Sequence, residues 1–266
     1  MPYKIHEGWK IGEQALDVIM HEKEEVWLVG DLHFGYNTQR KEVEDFKRVL
    51  DESAKVGARI VFFGDMMEYD IPSHMTNKGV MWEQGLSPKQ QREELTKILK
   101  PHKDRIVCLI AGNHEDRSYD RVEENPLDRI AEVLDVPFVP VSTWLRFIIY
   151  NDNGDEEIYT GYVIHGSGGS QNPEYNLRKE IEKKRMLGDF VAIAHIHRLY
   201  DKDYLCRYID EEGRVSERII YGFRTGGFLK DPRYAVKRSM EHPDCGYYRL
   251  WFDAGKHRLY YEKERI

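Results

Sequence analysis

Residue types suited to metal chemistry recur along this chain at short, fixed spacings. Asp31 and His33 are separated by one residue, and Asp65 is followed three residues later by Glu68. Asn113, His114 and Glu115 are contiguous, His165 precedes a glycine, and His195 and His197 repeat the one-residue gap. Carboxylates, imidazoles and an amide oxygen, with no thiolate among them, suit first-row divalent cations such as manganese, iron, zinc or nickel. Asp31, His33, Asp65, Asn113, His165, His195 and His197 are too many ligands for one ion and enough for two that share a bridge. Two such ions roughly 3.5–4 Å apart form a clamp for in-line displacement at phosphorus.

The elements that must bring these residues together are short apolar runs. Val26–Val29, Ile60–Phe63, Ile106–Ala111, Tyr159–Ile164 and Phe190–Ala194 carry no charge and are too short for helices, so they read as buried strands. Each releases an Asp, Asn or His at its C-terminal end. A polar turn capping a strand accounts for one such end. Five need another reason, and the carboxyl edge of an open α/β sheet is where ligands bind. Between the first two runs, Val43, Phe46, Val49 and Leu50 predict a helix from about Thr38 to Lys55 that stops at Gly57. This crossover makes the flanking strands parallel. Ser87-Pro88, Asn125-Pro126 and Asn172-Pro173 are N-cap and first-turn pairs that open three further helices.

In the second half the connections change. Asn153-Gly154 lies between two β-rich runs and signals a hairpin. Glu211-Glu212-Gly213 and Ala254-Gly255 sit in two more, and their aromatic-rich strands are expected in the outer part of the second sheet. Residues 11 to 19 are expected to form an edge strand or short helix with a packing role. Residues 66 to 86 mix Met66, Met67, Tyr69, Ile71, Met75, Met81 and Trp82 with Asp70, His74, Asn77 and Lys78 without a clear period. A stretch of this length reads as a substrate-recognition lid or as a packing insertion. Gly166 to Ser170 are small enough for backbone to approach a metal or phosphate. Arg117 and Arg198 follow site blocks directly and read either as phosphate partners or as surface charges.

In type and order, Asp31-Leu32-His33, Gly64-Asp65 with Glu68, Gly112-Asn113-His114-Glu115, His165 and His195-Ile196-His197 resemble the calcineurin-like metallophosphoesterases. The resemblance covers roughly residues 24 to 230. One departure is Ala194, which stands where that family carries glycine and is small enough to keep the backbone. The resemblance implies an α/β fold: a four-layer α/β/β/α sandwich of two mixed sheets flanked by helices, with the metal site at strand C-terminal ends. It implies one domain over residues 1–266, with a lid insertion at 66–86 and closing hairpins at 201–266.

The resemblance also sorts the ligands. Asp31, His33 and His197 would hold one ion, Asn113, His165 and His195 the other, and Asp65 would bridge them. The cofactors implied are two divalent ions, manganese first, with iron, zinc or nickel as alternatives. A bridging hydroxide would attack phosphorus in line. His114, not itself a ligand, would assist the leaving group, with Glu115 orienting its imidazole. Glu68 would support the ligands from behind. The implied activity is that of a phosphomonoesterase or phosphodiesterase, similar to compact stand-alone prokaryotic or phage-type members. The alternatives are a DNA or RNA nuclease of the same superfamily and a metal-binding scaffold without turnover.

Composition narrows the rest. With 266 residues and 41% hydrophobic content, the chain can build a sizeable core. The formal charge of −7 argues against gripping long duplexes through a basic face. The partner that the resemblance implies is a phosphoester, with nucleic acid as the alternative. No window approaches the ~20 apolar residues of a membrane span, and Met1 to Lys10 lacks the apolar core of a secretory signal. Three cysteines form no Cys-x-x-Cys pair, so a cytoplasmic location without a membrane partner is expected. Oligomeric state is not legible in the sequence.

Overall fold

Alternation along the central strands decides the layering. In β3 (Val26–Val29), Val26 and Leu28 join one buried cluster while Trp27 and Val29 join another. Ile60 and Phe62 of β4 (Arg59–Phe62) divide from Val61 in the same way. Successive side chains leave opposite faces of a strand, so a sheet with both faces apolar must be covered twice. The computed structural model describes residues 3–7, 14–36, 40–71, 84–167, 172–184, 188–209, 212–230 and 242–266.

Two sheets provide the cover for each other. The first has six strands in the order β13-β12-β3-β4-β5-β6, where β5 is Ile106–Ile110, β6 Phe138–Val139, β12 Gly246–Asp253 and β13 Arg258–Arg265. Strands β3 to β6 run parallel, and β12 joins β3 antiparallel. The second has seven strands, β1-β2-β7-β8-β9-β11-β10. These are β1 (Tyr3–Glu7), β2 (Gln14–His21), β7 (Ser142–Tyr150), β8 (Glu156–Ile164), β9 (Phe190–Ile193), β10 (Tyr200–Ile209) and β11 (Val215–Arg224). Between the sheets lie Val26, Leu28, Val61, Phe63, Phe147, Tyr159, Phe190, Phe223, Tyr248 and Phe252.

Helices close both outer faces. Phe46, Val49 and Leu50 of α1 (Arg40–Val56) pack on the six-stranded sheet with Leu95 and Leu99 of α2 (Pro88–Leu99). A 3₁₀ turn, Lys100–Arg105, separates α2 from β5. α3 is Asn113–Val122, and α4 (Pro126–Leu134) adds Leu127, Ile130 and Leu134 to the same layer. On the seven-stranded sheet, Leu177 and Ile181 of α5 (Pro173–Lys184) cover Tyr162, Val191 and Ile193. The layers are therefore α/β/β/α, as the sequence implies. α1 ends at Gly57, whose φ of +71° suits a residue without Cβ. Ser87 caps α2 in a reciprocal box with Gln90, and Asn125 caps α4 through Leu127 N at 3.0 Å.

Two expectations need correction, and one helix was not anticipated. Residues 14–21 form neither an edge strand nor a helix: β2 pairs parallel with β7 and is covered on its other side by β1. The two late hairpins do not share a sheet. β10 and β11 end the seven-stranded sheet, whereas β12 and β13 extend the six-stranded one. The reason is packing: Tyr247 of β12 stacks on Trp27 of β3, ring centroids 5.1 Å apart, while Tyr248, Leu250 and Phe252 face the inter-sheet core. Finally, the residues after β5 are a helix, α3, and not merely a polar turn.

Of the expected lid, His74, Met75, Asn77, Lys78, Met81 and Trp82 lie outside the described residues, as do Gly168, Gly169 and Ser170. The two flanks of that stretch are tied together: Gln84 Oε1 accepts from Asp70 N and Gln84 Nε2 donates to Asp70 O, each at 2.8 Å. Buried Gln91 joins them, donating to Gln84 Oε1 at 2.7 Å and accepting from Tyr69 N at 2.9 Å.

Candidate metal centre

Five strands end at one place. Asp31 and His33 follow β3, Asp65 follows β4, Asn113 opens α3 after β5, His165 follows β8, and His195 and His197 follow β9. Backbone bonds lock these ends together. Asp31 N donates to Gly64 O at 3.0 Å, His33 N to Asp65 O at 2.8 Å and Ala194 N to His165 O at 2.9 Å. The loops after β4 and β5 stack backbone on backbone. A Cβ on Gly112 would lie 2.2 Å from Asp65 N, and one on Gly64 2.5 Å from Gly112 N. Only glycine permits that approach.

The backbone at the ligands is strained. Nine non-glycine residues among those described have positive φ, and five are candidate ligands: Asp31, His33, Asp65, His195 and His197. The left-handed region costs such residues about 1–3 kcal/mol each and persists where the surroundings impose it. Here it turns successive side chains of a strand end toward one point.

Three trios have ligand atoms within 4.8 Å of one another: Asp31, His33 and His197; Asp65, His165 and His195; and His33, Asp65 and His114. His33 Nε2 and His197 Nε2 are 3.0 Å apart, and Asp31 Oδ1 lies 3.5 Å from His197 Nε2. His165 Nε2 is 3.2 Å from Asn113 Oδ1 and 3.3 Å from Asp65 Oδ2. Asp65 Oδ2 is also 3.9 Å from His33 Nε2, so this carboxylate of the second trio also faces the first. All seven candidate ligands are thus brought together.

The residues behind them aim the rings. Glu68 Oε2 accepts a hydrogen bond from His33 Nδ1–H at 2.9 Å, and Phe63 O accepts one from His165 Nδ1–H. Both leave Nε2 facing the centre, the arrangement by which carboxylates and carbonyls orient metal-binding histidines. Asp31 Oδ1 and His195 Nδ1 are buried with no hydrogen-bond partner. Orphaned atoms of that kind, amid oxygen and nitrogen donors without thiolate, fit divalent cations.

His114 differs. Its Nδ1 bonds Glu68 O at 2.7 Å and its Nε2 meets Arg117 Nη2 at 2.9 Å, so both ring nitrogens are occupied and one faces a guanidinium. That disfavours the third trio as a cation site. The sequence reading has Glu115 orienting His114, but its carboxylate is engaged elsewhere. Its buried carboxylate accepts from three backbone N–H groups: Asp65 at 3.0 Å, Gly112 at 3.0 Å and Met67 at 2.9 Å. The orienting groups are Glu68 and Arg117. Arg198 turns away to donate to His242 O at 3.1 Å.

Charges follow this geometry. Burial works to raise Asp31 and Asp65, but facing histidines outweigh it, and both carboxyls sit below the usual range, Asp65 well below. Burial works to lower His33 and His165, yet Glu68 and Asp65 raise His33 to about 9, and Asp65 and Asp31 raise His165 to about 10. For His114 burial wins, helped by the charges of His33 and Arg117, and the ring falls to about 4. Burial and the Asp65 charge push Glu115 up to about 7 against its backbone hydrogen bonds.

Asp70, Arg224 and Thr225 were not singled out by sequence. Arg224, at the end of β11, is buried and donates from Nη2 to Ala194 O at 2.9 Å. Its Nε and Nη1, and Thr225 Oγ1, are buried without partners. The available signal was positional: both follow a strand end, as the ligands do.

The family described as calcineurin-like phosphoesterase matches residues 25–223. A metallophosphoesterase from Sphaerobacter thermophilus is similar in structure, with a TM-score of 0.44, 16% identity, and coverage of 91% of this chain and 89% of that one. The calcineurin-like phosphoesterase YfkN from Bacillus subtilis gives a TM-score of 0.42 at 10% identity, covering 90% of this chain and 89% of that one. No curated protein matches the sequence significantly.

Proposed function

The chain belongs to the calcineurin-like phosphoesterase family, and on that premise we propose that it hydrolyses phosphoesters with two divalent cations. In this reading Asp31, His33 and His197 hold one cation, Asn113, His165 and His195 hold the other, and Asp65 serves both. The observation that carries it is the central position of Asp65 Oδ2, 3.3 Å from His165 Nε2 and 3.9 Å from His33 Nε2. When bound, the cations would supply Lewis acidity that lowers the pKa of attacking water and neutralises phosphoryl oxygens. A set of two carboxylates, one amide and four imidazoles suits iron, zinc and nickel as well as manganese, and the family resemblance puts manganese first.

The chain's own residues do the rest. Glu68 and Phe63 O hold the His33 and His165 rings so that Nε2 faces inward. Glu115 ties the loops after β4 and β5 into one rigid floor. His114, which holds no cation in this reading, serves departure of the leaving group, through its own Nε2 or through the Arg117 guanidinium that Nε2 holds. The domain is proposed to be single, and its working place the cytoplasm. Among the described residues no helix is long and apolar enough to cross a membrane.

The test is a substrate panel with added manganese: bis-p-nitrophenyl phosphate, p-nitrophenyl phosphate, a phosphoserine peptide, cyclic nucleotides and single-stranded DNA, with bound metal measured in parallel. Turnover of one or more small esters that scales with bound metal is expected. Activity confined to DNA would turn the reading to a nuclease. Bound metal without turnover on any ester would turn it to a scaffold.

A further inference from the structure

Arg117 lies four residues beyond Asn113 on α3, so the two side chains leave the same face of the helix. Its guanidinium is held in three places. Nη1 pairs with Oδ1 of buried Asp70 and reaches Glu68 O at 3.3 Å, and Nη2 donates to His114 Nε2 at 2.9 Å. A guanidinium has five N–H donors and no acceptor. Three are engaged, which leaves Nε–H and one Nη2–H.

The same bonds settle the His114 tautomer. Glu68 O can only accept, so His114 Nδ1 carries the ring proton. Arg117 can only donate, so the Nε2 lone pair is the acceptor. In this arrangement His114 Nε2 has no proton to give a leaving group. The cation at this spot is Arg117, partly open to solvent while Asp70 beneath it is buried.

We propose that Arg117 is a catalytic residue of this site, contacting the oxygens of a bound phosphoester through its two remaining N–H donors, with His114 and Asp70 as positioning residues that act through it. The proposal rests on the phosphoester-hydrolase reading above. A surface arginine loses rotamer freedom when it grips a ligand; one already fixed by a carboxylate, a carbonyl and an imidazole has little left to lose. Fixed donors aimed at developing negative charge are the usual means of stabilising a transition state. Asp70, which is buried, would lose a charged partner if the arginine swung away, which favours the held position. In the step itself the water oxygen bonds to phosphorus, the bond from phosphorus to the ester oxygen breaks, and the electron pair leaves with that oxygen. Arg117 hydrogen bonds to the non-bridging phosphoryl oxygens as charge builds on them. The water releases a proton to solvent, and the leaving oxygen takes one from solvent.

The experiment is steady-state kinetics with manganese on aryl phosphates whose leaving groups range from nitrophenol to phenol. It compares the wild type with R117A, R117K, H114A and the double variant H114A/R117A, with bound metal and thermal midpoint measured for each. Arg117→Ala is expected to keep its metal and lose about 100-fold in kcat, the scale of one lost oxyanion donor. Added guanidinium should restore part of that rate, which a merely structural role would not allow, and Arg117→Lys should stay low. His114→Ala should lose the same factor for every leaving group, and the double variant should be no slower than R117A. R117A within about threefold of wild type, far less than such a donor contributes, would overturn the proposal. So would multiplicative losses in the double variant. A loss in H114A that grows with leaving-group pKa would return the role to His114 as proton donor. A wild type inactive on every ester would remove the hydrolase reading as well.

Discussion

Asp65 Oδ1 accepts from the His114 backbone N–H at 2.9 Å, and Oδ2 turns toward His165 and His33. An amide at this position keeps the shape but loses the charge that two dications would share. Asp65→Asn is therefore expected to lower bound metal and abolish hydrolysis, and full activity with full metal content would contradict the shared role. Glu115 makes a different prediction. Glu115→Ala would strand three buried N–H groups, those of Asp65, Gly112 and Met67. Each stranded donor costs about 1–3 kcal/mol, so the variant should unfold in urea at a clearly lower midpoint even in chelator. An unchanged midpoint would mean that water replaces the carboxylate.

At the scale of elements, α3 starts where β5 stops, and the junction depends on Gly112. Its neighbour is the Asp65 backbone, which has no flexible end to move aside. Gly112→Ala should push the loops after β4 and β5 apart and weaken metal retention about 10- to 100-fold, as for groups that orient ligands. Equilibrium dialysis against manganese reads this directly, and unchanged affinity would show that the loops need not touch. Ser87→Ala provides the contrast. It removes the cap of α2, should cost about 1 kcal/mol, and should leave bound metal and turnover as they were. The cap lies on the helix layer, apart from the ligand-bearing strand ends.

The whole molecule couples cations to protons and to folding. In chelator, His33 and His165 have values raised to about 9 and about 10 because carboxylates face them. A raised value in the folded state contributes stability that is fully present below about pH 6.5, and that stability is lost as pH rises through the folded values. The chelated protein should therefore lose stability between about pH 6.5 and 10. Cations need those rings deprotonated, so metal uptake should release protons and tighten as pH rises. Calorimetry in two buffers of different ionisation heat measures the release, and identical apparent heats would refute it. In the proposed reading cations bind the folded chain and not the unfolded one, so the thermal midpoint should climb with manganese. The linkage is worth about 2.7 kcal/mol at a hundred times the dissociation constant.

By itself the sequence determined the candidate ligands and the strands that carry them. Their signals are local: an uncharged run too short for a helix, then Asp, Asn or His at its end. The caps at Ser87 and Asn125 were legible for the same reason, since a side chain bonding two or three residues ahead needs no distant partner. Only the tertiary structure decided what the long-range groups do. Glu115 sits beside His114 in the chain yet bonds the backbone of Asp65 and Met67. Arg117 takes its meaning from Asp70 and Glu68, about 47 to 49 residues away. Which late hairpin joined which sheet also depended on packing between distant aromatics, Tyr247 on Trp27. Spacing along the chain shows which residues can do chemistry; which neighbour each of them meets is decided by burial and hydrogen bonding across the fold.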